Sequence, residues 1–351
     1  MADRFPLLKL PYLCVIEVLS NLHMAELVTF SMITKKLHPI IKSLRKPIRL
    51  IDVEVMKKAT VIRFAANEVT ELGRWFIRDS CWYPTVFLKE NLNNGWSVDG
   101  IQLDCRYLME VGGRVIVSYT PYGYHELACE KAIKHVMDLF RVSIDNVIVH
   151  PKQLVKSKFP HEIGMKTCKV LQVVGSKRTK SSFREFLRRM EVKDAYLFEI
   201  PIHTNISKKL KTKKVICTRF QKWLTRDVLF SFEYDELYQT KHLKSISADD
   251  VNQFIYRWFE SNNKTFRMVL LKLKNGVQEH RFEDLNAMDW SPEKRSSCYP
   301  YSEQHLNLSE GRDIERRDGL LATVFYHDTM FFFCVWHERF PAIDGTIISF
   351  D

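Results

Sequence analysis

Residues 5–44 read FPLLKLPYLCVIEVLSNLHMAELVTFSMITKKLHPIIKSL, and the way apolar side chains crowd this stretch decides how the chain begins to fold. The spacing predicts three short helices, over Leu13–Leu22, Ala25–Ile33 and Lys36–Leu44. In the first, Leu13, Ile16 and Leu19 mark one face, while Val15, Val18 and Leu22 mark another. A surface helix shows one apolar stripe, and a helix that is apolar most of the way round is buried on several sides. Yet about 40 residues rarely bury enough surface to fold alone. The surplus apolar face therefore needs cover, either from the rest of the chain or from another protein.

The chain has 351 residues, 46% of them hydrophobic and 27% charged, ordinary figures for a globular protein of two or three domains. No uninterrupted apolar run reaches the ~18 residues of a membrane span. Glu17, His23 and Glu26 interrupt the N-terminal apolar stretch, and no small-residue cleavage site follows it, which argues against a signal peptide. Cys14, Cys81, Cys105, Cys129, Cys168, Cys217, Cys298 and Cys334 include no C-x-x-C pair, a pattern of buried, reduced thiols in the cytosol or nucleus. The histidines show no i, i+4 pair, so neither a metal site nor a cofactor is expected. Phosphate-binding, dinucleotide, serine-hydrolase and zinc-protease signatures are missing, so the chain reads as a binding protein without catalytic residues.

The formal charge of +11 is the unusual bulk property. Its densest cluster is Lys208, Lys209, Lys211, Lys213 and Lys214, a candidate basic patch for nucleic acid or an acidic protein surface. No aromatic residues alternate with these lysines and no nucleic-acid motif surrounds them, so a solvated loop is the plainer reading.

After Lys46-Pro47 the period changes. Residues 48–55 read as a strand, followed by Thr60–Phe64, Thr85–Leu88 and Arg114–Tyr119, with a turn at Asn93-Asn94-Gly95. Beyond residue 125 apolar residues recur at helical spacing. Ile133, Val136, Met137 and Phe140 precede a strand at Val147–Val149. Phe183, Phe186, Leu187 and Met190 precede Ala195–Ile200, and Val251, Phe254, Ile255 and Trp258 precede Phe266–Leu273. Weaker strands fall at Cys168–Val174 and Tyr234–Tyr238. Ser247 and Asp250 form a capping-box pair, and Thr225-Arg226-Asp227 opens a preceding short helix similarly. Such alternation suggests βα units, arranged as an irregular leucine-rich-repeat-like solenoid or as a compact α/β sheet.

The N-terminal segment resembles an F-box. The resemblance rests on Leu10-Pro11, Val18-Leu19 and Leu22, then Leu27, Phe30 and Ser31, and the basic pair Lys35-Lys36. The Phe5–Pro11 opening resembles the large nematode F-box group, whose members carry a type 2 F-box-associated domain downstream. Trp223, Leu229, the block Asp250–Ile255, Trp258 and the strand after it resemble that domain, over about residues 205–275. Gly311–Gly319, Ala322–Val324 and Val335-Trp336 resemble its C-terminal hairpins. Glu310-Gly311-Arg312, where a paired glycine is more usual, and the extra lysines at 208–214 depart from the pattern.

The expected architecture is mixed, α+β or α/β: a three-helix F-box over 1–47, a β-rich module over 48–125, a repeat-like α/β region over 126–275 and C-terminal β-hairpins over 276–351. The resemblance implies a substrate-recognition subunit of a cullin-type ubiquitin ligase. It would dock on a Skp-type adaptor through Leu8, Leu10, Pro11, Ile16, Leu19, Leu22, Leu27 and Phe30, and hold an unidentified protein substrate with its C-terminal region. The alternative is a basic module for nucleic acid or an acidic protein. Neither reading involves a membrane.

Overall fold

The computed structural model describes residues 7–46, 48–56, 59–67, 70–79, 95–110, 113–121, 123–151, 166–175, 181–203, 205–210, 212–274, 280–301 and 304–350. The chain divides into two compact units, one of residues 1–174 and 180–193, the other of residues 175–179 and 194–351. The mixed α/β class fits: N-terminal helices precede a large β-rich region, with seven α-helices among the described residues.

The first unit opens with α1 (Tyr12–Ser20), α2 (Met24–Ile33) and α3 (Leu37–Ser43). Pro11 is the N-cap of α1, at a position where the missing amide hydrogen costs nothing. The strands β1 (Leu50–Val55), β2 (Ala59–Ala65), β3 (Glu71–Asp79), β4 (Gly95–Val98), β5 (Ile101–Glu110) and β6 (Gly113–Thr120) follow. Then come α4 (His125–Phe140), β7 (Asn146–Val149), β8 (Thr167–Val173) and α5 (Ser181–Arg189). The sheet runs β8-β7-β1-β2-β3-β6-β5-β4. Its β1–β7, β7–β8 and β3–β6 pairings are parallel, and the others in the unit are antiparallel. Strict alternation on β1 sends Ile51, Val53 and Val55 inward and leaves Asp52 and Glu54 on the other face. Helix α2 packs on β3, β4 and β6, and α4 on β3 and β4, so α2 and α4 cover one face of this sheet.

The second unit is built on four parallel strands: β9, which begins in the first unit (Glu191–Phe198), β10 (Lys214–Cys217), β11 (Glu236–Leu243) and β12 (Met268–Leu273). Two crossovers are helical, through α6 (Arg226–Phe230) and α7 (Ala248–Glu260). Antiparallel strands then extend the sheet from β12 in the order β18 (Met330–Trp336), β17 (Leu321–His327), β16 (Arg312–Glu315) and β13 (Met288–Asp289). A separate three-stranded sheet contains β14 (Cys298–Tyr301), β15 (Gln304–Asn307) and β19 (Thr346–Ile348). The apolar run of β18 follows from burial on both faces. Phe333 packs edge-on to Trp258 and Phe254 of α7, with ring centroids 5.0 and 5.4 Å apart. Phe332, Cys334 and Trp336 join Tyr299, Leu306 and Leu308 in a cluster on the opposite side.

The capping box of α7 forms as the sequence predicts. The Asp250 amide donates to Ser247 Oγ (3.1 Å) and the Ser247 amide donates to Asp250 Oδ2 (2.9 Å). Thr225 is the N-cap of α6, but its side chain accepts no capping hydrogen bond. Strands β3, β4, β5 and β10 were not predicted. Gly95 opens β4 where a turn was expected, while Thr85–Leu88, Asn93 and Asn94 lie outside the described residues. Cys14 is exposed rather than buried, and Cys81 lies outside the described residues. Gly311 is needed because a Cβ there would run into Thr323 Cγ2 and come within 3.0 Å of the Val324 carbonyl oxygen.

One buried ion pair ties the C-terminal elements together. Arg295 and Asp313 are both fully enclosed, and Arg295 Nε lies 2.9 Å from each Asp313 oxygen. Arg295 also donates to the Ser296 and Leu308 carbonyls (2.8 and 2.9 Å) and stacks over Trp336. Thr323 Oγ1 donates to Asp313 (2.7 Å) and accepts from Trp336 Nε1 (2.7 Å). Removing one partner of such a pair leaves an uncompensated buried charge, at a cost of about 3–5 kcal/mol. Arg295→Leu should therefore lower unfolding stability by about that much in urea titrations. Arg312→Gln, which breaks the surface pair with Asp289, should cost under ~1 kcal/mol. Equal costs from the two variants would show that the buried pair is not the keystone.

Candidate functional site

The helical head resolves the question of what covers its surplus apolar surface, and the answer differs helix by helix. Helix α2 is apolar over most of its circumference because it lies between the sheet on one side and α3 on another. Met24, Ala25, Leu27, Val28 and Met32 are all buried. Helix α1 is different. At 100° per residue, Val15 and Leu19 point inward, whereas Leu13, Cys14, Glu17 and Val18 share the opposite arc. All four are exposed, Leu13 at 77%. Tyr12 (57% exposed) in the first turn, Leu8 in the 3-10 turn just before α1 and Ile33 at the end of α2 are also exposed apolar side chains. The largest uncovered apolar groups of the head are thus Leu8, Tyr12, Leu13, Val18 and Ile33.

The predicted docking residues divide accordingly. Leu8 and Pro11 are exposed, and Leu10, Ile16, Leu22 and Phe30 are half-buried. Leu19 and Leu27 are 0% exposed. Both are corrected from surface contacts to core, because the chain's own helices and strands enclose them. Tyr12, Leu13, Val18 and Ile33, which the sequence did not single out for docking, are exposed instead. The sequence marked two apolar faces on α1, and packing splits both: Leu19 and Val15 turn inward while Leu13 and Val18 stay outside.

The head is fastened to the rest of its unit by polar contacts. Glu26 of α2 pairs with Arg114 of β6 and also caps its own helix, accepting from the His23 amide (2.8 Å). Ser31 Oγ lies 2.7 Å from His135 Nε2 on α4. Asp138 of α4 takes two partners from α3, His38 Nε2 at 2.8 Å and Lys42 Nζ at 2.5 Å. These two contacts hold the Asp138 carboxyl below the usual range, Lys42 the stronger. Burial, helped by the neighbouring His38, pushes the His135 imidazole down to about 4.

Of the predicted basic cluster, Lys208 and Lys209 lie exposed in a 3-10 turn, and Lys211 is outside the described residues. Lys213 approaches Asp235 (3.5 Å), and Lys214 pairs with Glu236 (2.9 Å). Lys214 and Glu236 line a cavity of about 430 Å³ in the second unit, together with Tyr238, Tyr299, Arg267 and His337. The Tyr238 phenol donates to Glu236 (2.8 Å), and the Tyr299 phenol donates to the Arg267 carbonyl (3.0 Å). Burial pushes both phenols up, which keeps them protonated. Glu236, Lys214 and Tyr238 are thus bound to one another.

The F-box domain family model matches residues 7–49, a segment that contains α1–α3. No curated protein and no solved structure matches the chain.

The contacts between head and α4 carry a pH dependence. An ordinary histidine titrates near ~6.5, so between that pH and about 4 the unfolded chain takes up a proton that folded His135 refuses. Stability therefore falls through this window on acidification, by up to about 3 kcal/mol, and the effect is absent above it. Loss of the Asp138 contacts acts in the same direction at lower pH. Urea unfolding from pH 7 to pH 4 should show a shallower decline for His135→Gln than for the native chain. Parallel declines would remove His135 from the account.

Proposed function

We propose that this chain is the substrate-recognition subunit of a cullin-type ubiquitin ligase, docking on a Skp-type adaptor through the outward face of α1 and holding a protein substrate with its C-terminal unit. One observation carries the reading: the segment that matches an F-box domain retains an exposed apolar face after its own chain has covered the rest. Leu13 and Val18 on that face, with Leu8, Tyr12 and Ile33, have the apolar character that a partner's surface would bury. The chain acts by proximity. It holds a target near the ligase machinery and so raises the effective concentration of groups that seldom meet. It needs no catalytic residues of its own for this role.

The finer assignment, to the nematode group with a type 2 F-box-associated domain, is supported by the local roles of its landmark residues. Trp223, Leu229, Val251, Phe254, Ile255 and Trp258 are all buried, and Asp250 caps α7. Arg316, within the Gly311–Gly319 stretch, stacks over Trp258 and donates to the Asn263 carbonyl (2.9 Å). The leucine-rich-repeat-like reading draws on the parallel ladders of each unit, β1–β7–β8 in the first and β9–β10–β11–β12 in the second. Such stacked units suit substrate capture over an extended surface. No described helix is long and apolar enough to cross a membrane. A cytosolic or nuclear site of action follows from the ligase reading.

Purified Skp-type adaptor provides the test. A Leu13→Glu, Val18→Glu double variant alters only exposed positions, so its thermal midpoint should stay within about 2 °C of the native chain. Its adaptor affinity should fall at least about tenfold. Leu19→Ala, in the core of the head, should instead cost about 2–5 kcal/mol of stability. Undiminished adaptor binding by the double variant would sink the docking reading.

A further inference from the structure

The C-terminal ends of α3 and α4 meet at a cavity of about 260 Å³ whose floor is apolar and whose wall is cationic. Ile41, Leu139 and Phe140 form the floor, and Lys42, Arg45, Lys46 and Arg141 form the wall. No carboxylate among the described residues lines it. Asp138 of α4, next to the lining residue Leu139, already holds Lys42 and His38. Lys46 donates to the Ser20 carbonyl at the end of α1, and burial lowers its pKa, as expected of a cation short of counter-charge. Arg45 and Arg141 are exposed, and neither guanidinium has a hydrogen bond, ion pair or ring contact among the described residues.

Cations at helix C-termini complement the negative end of the helix dipole, and that effect accounts for some of this charge. It does not account for a cavity between the two ends. Arg45 has φ 48° and Arg141 φ 57°, a left-handed conformation that side chains with a Cβ seldom adopt. Arg141 closes α4 in this conformation, its amide bonded to the Met137 carbonyl. Such left-handed residues commonly close helices, and here both line the same cavity.

We propose that this cavity binds a phosphate monoester carried on an apolar stem, either a phosphorylated side chain of a partner or a free ester. Two uncommitted guanidiniums match the two charges of a phosphate dianion, and the planar fork of arginine suits phosphate oxygens. A carboxylate would meet only half of that surplus. The apolar floor takes the stem. The volume lies below the roughly 300–1,000 Å³ of pockets for larger ligands, which fits one phosphorylated group. The site is separate from the exposed face of α1, so its fate does not decide the ligase reading.

The test uses the intact chain at low ionic strength, with calorimetric titration and thermal midpoints. The probes are phenyl phosphate, inorganic phosphate and benzoate, with sodium chloride matching ionic strength. Phenyl phosphate should bind tightest, inorganic phosphate more weakly, and benzoate weakest. An Arg45→Asn, Arg141→Asn double variant keeps a side chain that tolerates the left-handed region. It should bind phenyl phosphate at least about tenfold more weakly. A Lys244→Gln, Lys264→Gln variant removes the same charge from exposed positions elsewhere and should leave affinity unchanged. A phosphotyrosyl hexapeptide that competes with phenyl phosphate would assign the ligand to a partner's side chain; failure to compete would assign it to a free ester. No phosphate-dependent stabilisation, equal binding of benzoate, or equal weakening in both double variants would each overturn the proposal.

Discussion

Helix α2 buries Met24, Ala25, Leu27, Val28, Ser31 and Met32, and the architecture of the first unit follows from the need to enclose them. Leu27 and Val28 are fully enclosed, with Met24 and Ala25 beside them. A helix of this kind needs walls on several sides. The sheet strands β3, β4 and β6 provide one and α3 provides another. Once α2 is seated, α3 lies against α4, and the polar contacts of Ser31, His38 and Lys42 with α4 fix the angle. Helix α1 packs on α3 through one side only, which is why its outer arc stays bare.

Part of this was legible in the sequence, and the reasons are local. Helix α7 announces itself twice, by Val251, Phe254, Ile255 and Trp258 at helical spacing and by the Ser247–Asp250 cap. Strand β18 is visible as an apolar run between turn residues. Strands β3 and β5 were not recognised although both alternate. Trp75 and Ile77, or Leu103 and Cys105, point inward between charged residues that reach the other face. In β10 the apolar Val215 and Cys217 sit beside a lysine run that drew the reading toward a surface loop. Leu13 and Leu19 illustrate the limit. They are the same residue on the same helix, one 77% exposed and one wholly enclosed, and nothing within nine residues of sequence distinguishes them. Their difference is made by α3, which arrives later in the chain.

The second unit depends on a different device. Its long apolar strands would pack in several registers if grease alone decided, and two enclosed arginines add direction. Arg295 addresses Asp313 and the Leu308 carbonyl, and Arg316 addresses Asp318 and the carbonyls around the end of α7. Each stacks on a tryptophan, Trp336 and Trp258 respectively. Satisfied networks of this kind are specific because a half-made one is costly. The sequence showed a charged GRDIERRDG stretch. Two of its charges, Asp313 and Arg316, turn inward, and the Cβ-free Gly311 lets the adjoining strand pack closely beside them.

The seating of α2 also bears on how such a head can be moved between proteins. A segment recognisable over 43 positions, residues 7–49, looks like a cassette that recombination could lift out whole. Its underside is cut to fit one particular floor, so a transplanted copy would carry Leu27 and Val28 into water unless the recipient supplied a matching seat. The folded unit here is larger than the segment the family model recognises, and it reaches at least as far as the last turn of α4.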